Sequence, residues 1–193
     1  MNIWVVRHGR TEANASGLLL GRADPSLDTT GRQQAARLAE YLPAATIVTS
    51  PLQRCVETAQ IIAAGAGAPI EPRVDERLIE LDYGQWDLTP LQEVPAGSWA
   101  QWRADDDFRP PGGESLTELS GRVSQLLDEM AQRSTEIDDV VMVTHVSPIK
   151  AAMAWALGVG IAVSWRSHVV PASITSIHVS ERGPSLRGFN WQP

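Results

Sequence analysis

Apolar positions along the chain fall into short continuous runs and longer stretches of helical period, in alternation. Ile3-Trp4-Val5-Val6 is rich in β-branched and aromatic residues, leads to Gly9, and predicts a buried first strand. A glycine-containing loop follows over 9–30. Ala35, Ala36, Leu38, Ala39 and Leu42 recur at helical spacing and predict a helix from Gln33 to Leu42, stopped by Pro43. Thr46–Thr49 reads as a short strand. Ser50-Pro51 offers a good N-cap and a residue suited to the first helical position. The helix it predicts carries Arg54 and runs to about Ala64, where Gly65 and Gly67 end it.

Residues 77–83 read as a strand or an extended loop. The stretch 85–113 is rich in Trp, Pro and Asp without period, and predicts short helices and loops inserted over the sheet edge. Ser115-Leu116-Thr117-Glu118 fits a capping box and opens a helix to about Gln132. Val140–Thr144 is continuously apolar apart from its last residue, as a strand buried on both faces would be. Pro148–Leu157 reads as a helix closed by Gly158, and 173–179 as a last strand. Strands alternating with helices predict an α/β sandwich around a mostly parallel sheet. At 193 residues the chain suits one domain spanning 1–193, with the 85–113 insert lid-like upon it.

Composition narrows the function classes. A net charge of −7 argues against a basic nucleic-acid-binding surface, so any cationic site must be local. The single cysteine, Cys55, excludes an intrachain disulfide and a cysteine-based zinc cluster. After Met1 the chain enters a strand directly, and no apolar run approaches membrane-spanning length. The expectation is a cytoplasmic protein with no nucleic-acid or membrane partner; a homodimer is left open.

His8 and His145 each end a predicted strand. Parallel strands gather their C-terminal ends at one crevice, so the two side chains can meet there. Arg7 precedes His8, and Arg54 lies in the first turns of a helix leaving a strand at the same end, where helix N–H groups add positive potential. These parts suit a doubly charged phosphoryl group. Each residue taken alone has a plainer reading: a packed histidine at a strand end, or an arginine in a surface ion pair.

Six blocks carry a resemblance. They are Arg7-His8-Gly9-Arg10-Thr11-Glu12-Ala13-Asn14; Gly21-Arg22-Ala23-Asp24-Pro25-Ser26-Leu27-Asp28 through Gly31; Ser50-Pro51-Leu52-Gln53-Arg54 with Glu57-Thr58-Ala59; Leu78-Ile79-Glu80-Leu81-Asp82-Tyr83-Gly84-Gln85-Trp86; Pro111-Gly112-Gly113-Glu114-Ser115; and Val143-Thr144-His145. In this order the chain resembles the histidine phosphatase superfamily, the phosphoglycerate-mutase-like proteins. The resemblance implies a three-layer α/β/α sandwich. It implies His8 as a nucleophile forming a phosphohistidine, and Arg7, Arg54 and His145 as holders of the phosphoryl oxygens. Glu80 would be the general acid and base, and therefore partly buried. Asn14 and the backbone at Gly21 and Val146 would donate further hydrogen bonds to a small phosphorylated substrate. No metal or cofactor is implied, because the arginines and histidine supply the positive charge.

Asp82, Glu76, Asp87 and Glu114 are other carboxylates near Glu80 in sequence or in a matching block. His168 and His178 match no block and read as structural or exposed, and Cys55 as a packed small residue. Trp86, Trp99 and Trp102 suit either a pocket wall or the core. The commonest family pattern has Gly after the second histidine and an acidic residue with Gly after the Trp; here Val146 and Asp87-Leu88 stand there. His145-Val146-Ser147-Pro148-Ile149-Lys150 looks closer to bacterial acid-phosphatase and α-ribazole-phosphatase-like members than to glycolytic mutases. A phosphomonoesterase is therefore the leading reading. A mutase-type phosphotransferase and a non-catalytic phospho-ligand module are the alternatives.

Overall fold

A computed structural model describes residues 1–66, 71–135 and 139–193. Among the described residues six strands form one sheet: β1 (Asn2–Arg7), β2 (Thr46–Thr49), β3 (Arg73–Val74), β4 (Val140–Thr144), β5 (Ile174–Ser180) and β6 (Gly183–Trp191). Their order is β3-β2-β4-β1-β5-β6. The first four run parallel, and β5 and β6 are antiparallel additions at one side.

β4 is buried at all five positions because apolar layers cover both faces. Val140 and Met142 join Ile3 and Val5 in one core, against α5 (Leu116–Gln132) and α6 (Val146–Leu157). Val141 and Val143 join Val6 in the other, against α2 (Thr29–Ala39) and α3 (Gln53–Gly65). Period-two alternation along the strands sorts the side chains between the two cores. Each fully buried aliphatic side chain contributes about 1.5–3 kcal/mol. The result is the expected three-layer sandwich.

The capping box at Ser115 and Glu118 is present, and Gly158 closes α6 in the left-handed conformation. Elsewhere the boundaries move. α2 starts four residues before the expected Gln33, because Asp28 caps it by accepting from the Gly31 N–H at 2.7 Å. α3 starts at Gln53 with Leu52 at the cap position and no side-chain cap, so Ser50 is not its N-cap. α3 ends at Gly65, while Gly67 lies outside the described residues. Residues 77–83 form no strand; the 3₁₀ turn Glu76–Leu78, capped by Asp75, precedes an extended segment. The loop 9–30 contains the one-turn helix α1 (Glu12–Ala15). The expected last strand is followed by β6, an edge strand that contains Pro184 and Gly188 and pairs with β5 in a shifting register.

The insert begins with the 3₁₀ turn Gly84–Trp86 and contains α4 (Ala96–Ala104). Its first leg is laced to the loop after α1. The Leu88 N–H donates to the Leu19 carbonyl at 2.7 Å, and Leu19 returns a bond to Thr89 at 2.9 Å. Leu88 stands where the family pattern has Gly, and its φ is 61°, in the left-handed region disfavoured for residues with a Cβ. Its side chain is 46% exposed, so packing recovers little of that strain.

Leu88→Gly is therefore expected to raise the unfolding free energy by about 0.5–1 kcal/mol, the relieved strain less the extra unfolded-state entropy of glycine. Denaturant unfolding checks this; a Leu88→Gly protein no more stable than Leu88→Ala contradicts it.

Candidate active site

The register of two parallel neighbours brings the histidines together. Arg7 of β1 pairs with Thr144 of β4, so the next residues, His8 and His145, stand side by side where the ladder ends. The His8 N–H donates to the Thr144 carbonyl at 3.0 Å. The two rings meet edge to face with centroids 5.1 Å apart, close to the spacing of adjacent strands. On the other side of β4, Thr49 of β2 pairs with Val143, and the Ser50 N–H donates to the Val143 carbonyl at 3.0 Å. Ser50, His145 and His8 thus line up across three strand ends.

Both imidazoles are buried, and their tautomers follow from their partners. His8 Nδ1 lies 2.7 Å from the Gly9 carbonyl oxygen, which can only accept. The proton is therefore on Nδ1, and Nε2 carries the lone pair. His145 Nδ1 accepts from Arg54 Nε at 3.2 Å, which places its proton on Nε2, donated to Ser50 Oγ at 2.7 Å. Burial, then Arg54 and Arg7, push the His8 imidazole well below its ordinary pKa. Burial, then Arg54 and His8, do the same for His145. Both rings are held neutral.

Arg7 donates through Nη1 to the Val169 carbonyl at 2.7 Å, and its buried Nε has no partner. Burial chiefly lowers its pKa to about 10, and the nearby Glu80 opposes that shift. Arg54 is fully buried and bound at every nitrogen: Nη1 donates to Ala23 and Nη2 to Gly21, both carbonyls at 2.7 Å. That loop is itself clamped by Asp87, whose carboxylate accepts from the Gly21 N–H at 2.8 Å and the Ala23 N–H at 2.6 Å. The Gly21 N–H, expected to face a phosphate, is thus used internally. At the start of α3, the Gln53 N–H likewise donates to Asp24 Oδ1 at 2.7 Å.

Glu80 is 3% exposed and sits on the first turn of α6. Its Oε1 accepts from the Leu81 and Ser147 N–H groups at 2.8 and 3.1 Å, and its Oε2 from Val146 at 3.1 Å. Val146, expected to donate to a ligand, therefore serves Glu80. The backbone carrying Glu80 is held from two sides. Thr144 Oγ1 donates to the Leu78 carbonyl at 2.6 Å, and Arg122 of α5 donates to the Arg77 and Glu80 carbonyls at 2.6 and 3.2 Å. Glu114 accepts from Arg122 at 2.8 and 2.9 Å and keeps it aimed. The other carboxylates are elsewhere: Asp82 accepts from the Gly84 N–H at 2.8 Å, Asp87 clamps the Gly21 loop, and Glu76 is exposed.

Asn14 completes the cap of α1, its Oδ1 accepting from the Thr11 N–H and hydroxyl at 3.2 and 3.1 Å. His168 is exposed, and His178 meets Asn2 Oδ1 at 2.9 Å. Cys55 is buried with Sγ 3.4 Å from His145 Nε2, and burial pushes its thiol pKa up, so it stays protonated. Ser50, Asp87, Thr144 and Arg122 are positioning residues; the first three stand in or beside the matched blocks, but nothing in the sequence pattern assigns them that role, and Arg122 lies outside every block.

The arrangement presents an uncharged imidazole lone pair beside two buried guanidinium groups, with one buried carboxylate at the rim. Among the described residues no cluster of three or more His, Cys, Asp and Glu side chains could hold a metal ion, and no helix is long and apolar enough to cross a membrane.

The family model of the histidine phosphatase superfamily (branch 1) matches residues 3–192. Phosphoserine phosphatase 1 of Hydrogenobacter thermophilus is 33% identical over 187 residues, 92% of this chain and 86% of that protein. The adenosylcobalamin/alpha-ribazole phosphatase of Salmonella typhimurium is 28% identical over 204 residues, 100% of both chains. The solved structure of mycobacterial hydrolase 1 superposes with a TM-score of 0.89 at 29% identity, covering 100% of this chain and 99% of that one. The chain spans about half the length of the mycobacterial proteins that it matches at 33% identity over 178 residues (89% of this chain, 48% of theirs).

The histidines give a pH signature. Unfolded, both titrate near 6.5; folded, both stay neutral well below that. The unfolded state then binds more protons, so unfolding free energy falls with pH below about 6.5, by about 1.4 kcal/mol per pH unit for each histidine. Denaturation curves between about pH 7 and 5 measure the slope, and His145→Asn is expected to remove one proton from it; an unchanged slope contradicts the assignment.

Proposed function

The chain belongs to the histidine phosphatase superfamily, and on that premise we propose that it hydrolyses a small phosphomonoester through a phosphohistidine on His8. The observation that carries this reading is the locked tautomer of His8. With Nδ1–H bonded to the Gly9 carbonyl, Nε2 faces the site as a neutral nucleophile among cations that keep it neutral.

In the first step Nε2 attacks phosphorus in line and forms the N–P bond while the bond to the alcohol oxygen breaks. Arg7, whose buried Nε has no other partner, takes a phosphoryl oxygen, and Arg54 holds another; their charge is worth most where the transition state spreads negative charge over these oxygens. His145 fixes Arg54 through Nδ1 in the free site. It donates to a phosphoryl oxygen in its other neutral tautomer, in which the ring proton has moved from Nε2 to Nδ1 and the Ser50 hydroxyl turns to donate to Nε2. Glu80 enters as the acid and gives its proton to the leaving oxygen. Its Oε2 takes only the Val146 N–H, which leaves room for that proton. In the second step the Glu80 carboxylate takes a proton from water, the water oxygen attacks phosphorus, and the N–P bond breaks to release phosphate and restore His8. No step requires a metal. The named relatives act on a phosphoserine and on an α-ribazole phosphate, which supports a small phosphorylated metabolite as the substrate class.

With 4-nitrophenyl phosphate and no added metal, the wild type is expected to release inorganic phosphate, and His8→Ala to lose about 10³-fold or more in kcat. Equal, near-zero rates in both proteins favour a binding module instead. Substrate isomerisation without phosphate release identifies a mutase.

Glu80→Gln separates proton transfer from binding. Its loss in kcat is expected to be about 10²-fold or more with an alkyl phosphate and much smaller with 4-nitrophenyl phosphate, whose leaving group needs no proton. Equal losses on both esters remove Glu80 from the acid role.

A further inference from the structure

Against the rim that carries Glu80 lies a half-open cavity of about 80 Å³, walled in part by Trp99, Trp102, Trp165, Val146, Ser147 and Lys150. Val146 and Ser147 are the residues whose N–H groups hold the Glu80 carboxylate. The cavity therefore begins where the leaving alcohol would receive its proton. The tryptophans are braced against one another. Trp99 stacks on Trp102 with centroids 5.6 Å apart, and Trp165 meets Trp102 edge-on at 5.6 Å. Trp99 and Trp102 come from α4 of the insert, and Trp165 from the 3₁₀ segment Ile161–Arg166.

A cation interrupts this apolar wall. Lys150 lies one turn beyond Val146 on the same face of α6. Its Nζ donates to the Ser164 carbonyl at 2.9 Å, which uses one of three donors. Among the described residues it makes no ion pair. Burial lowers its pKa, and the attraction of nearby Glu80, with which it makes no ion pair, opposes that shift only in part. The indole N–H groups of Trp102 and Trp165 are buried with no acceptor. Those two donors are sealed from the cavity, but a partly buried cation with unused donors beside an apolar cavity is costly unless a ligand brings acceptors.

We propose that this cavity is the leaving-group site, and that it selects phosphomonoesters whose alcohol half carries a carboxylate on an apolar body. The apolar body lies against the tryptophans. The carboxylate takes the Lys150 ammonium, two of whose three donors are unused. The proposal rests on the phosphatase reading and adds the chemistry of the group released.

The test compares two esters of near-equal shape, 4-(carboxymethyl)phenyl phosphate and 4-(carbamoylmethyl)phenyl phosphate. Wild-type kcat/KM is expected to favour the acid by about tenfold or more, the worth of a hydrogen bond to a charged group. Lys150→Met is expected to bring the two esters to near equality, and Lys150→Arg to keep a preference for the acid. A merely structural role for Lys150 would move both esters together. The wild type alone gives a second readout: 4-hydroxyphenylacetate should inhibit about tenfold or more better than its amide. Hydrolysis of both esters at an acid-to-amide ratio that Lys150→Met leaves unchanged, or equal inhibition by the two alcohols, overturns this proposal alone. Release of phosphate from 4-nitrophenyl phosphate but from neither of these esters also overturns this proposal alone, whereas release from none of the three overturns the phosphatase reading and this one with it.

Discussion

The site depends on one pairing: β1 and β4 run parallel, side by side, and end in register. Because Arg7 faces Thr144 across the ladder, the two histidines need no loop to bring them together. The ladder hydrogen bonds set the strand spacing and with it their separation, and burial on both sides of β4 holds the register. A slip of one residue would turn the Val140–Thr144 pattern inside out and send His145 to another layer. The cores on either face therefore guard the geometry of the site, since any slip must first unpack them.

Charge is managed by the same economy. The Arg7 and Arg54 guanidinium groups lie near the carboxylates of Glu80, Asp24 and Asp87 but pair with none of them, and carbonyl oxygens of Gly21, Ala23 and Val169 take much of the load. Carbonyl dipoles satisfy arginine donors without neutralising them. The positive potential thus survives burial, and it keeps both imidazoles uncharged. A set of ion pairs would have quenched the field that a phosphoryl group needs.

Much of this was legible along the chain. β4 and α5 were plain because their signals are local: a run of buried aliphatics and a capping box within four residues. The start of α2 was hidden because Thr29-Thr30-Gly31 are weak helix formers, and the helix holds there through the Asp28 cap and packing. β6 escaped notice because an edge strand need not alternate. Ser50 departs from its sequence pattern for a different reason. A serine before a proline is a good cap, but the pull of the His145 imidazole across the sheet is invisible in one dimension. Family resemblance singled out Glu80 among several carboxylates. In the structure the distinction is physical: Glu80 is the one set on the first N–H groups of α6, and Arg122, forty-two residues further on, holds its backbone there.

Asp87 has a consequence for how such a protein can diversify. It lies at the root of the insert, yet its two oxygens hold the loop whose carbonyls hold Arg54. The segment that walls the cavity is thus moored to the part that would grip phosphate at its root, by this side chain and by the backbone bonds between Leu88, Thr89 and Leu19. Beyond that mooring, the tryptophan-bearing stretch can be lengthened, shortened or rewritten without disturbing the arginine. A lineage can change which alcohol it recognises while inheriting the same phosphate grip. Replacing Asp87 breaks that independence, because a change meant for one half of the substrate is then felt by the other.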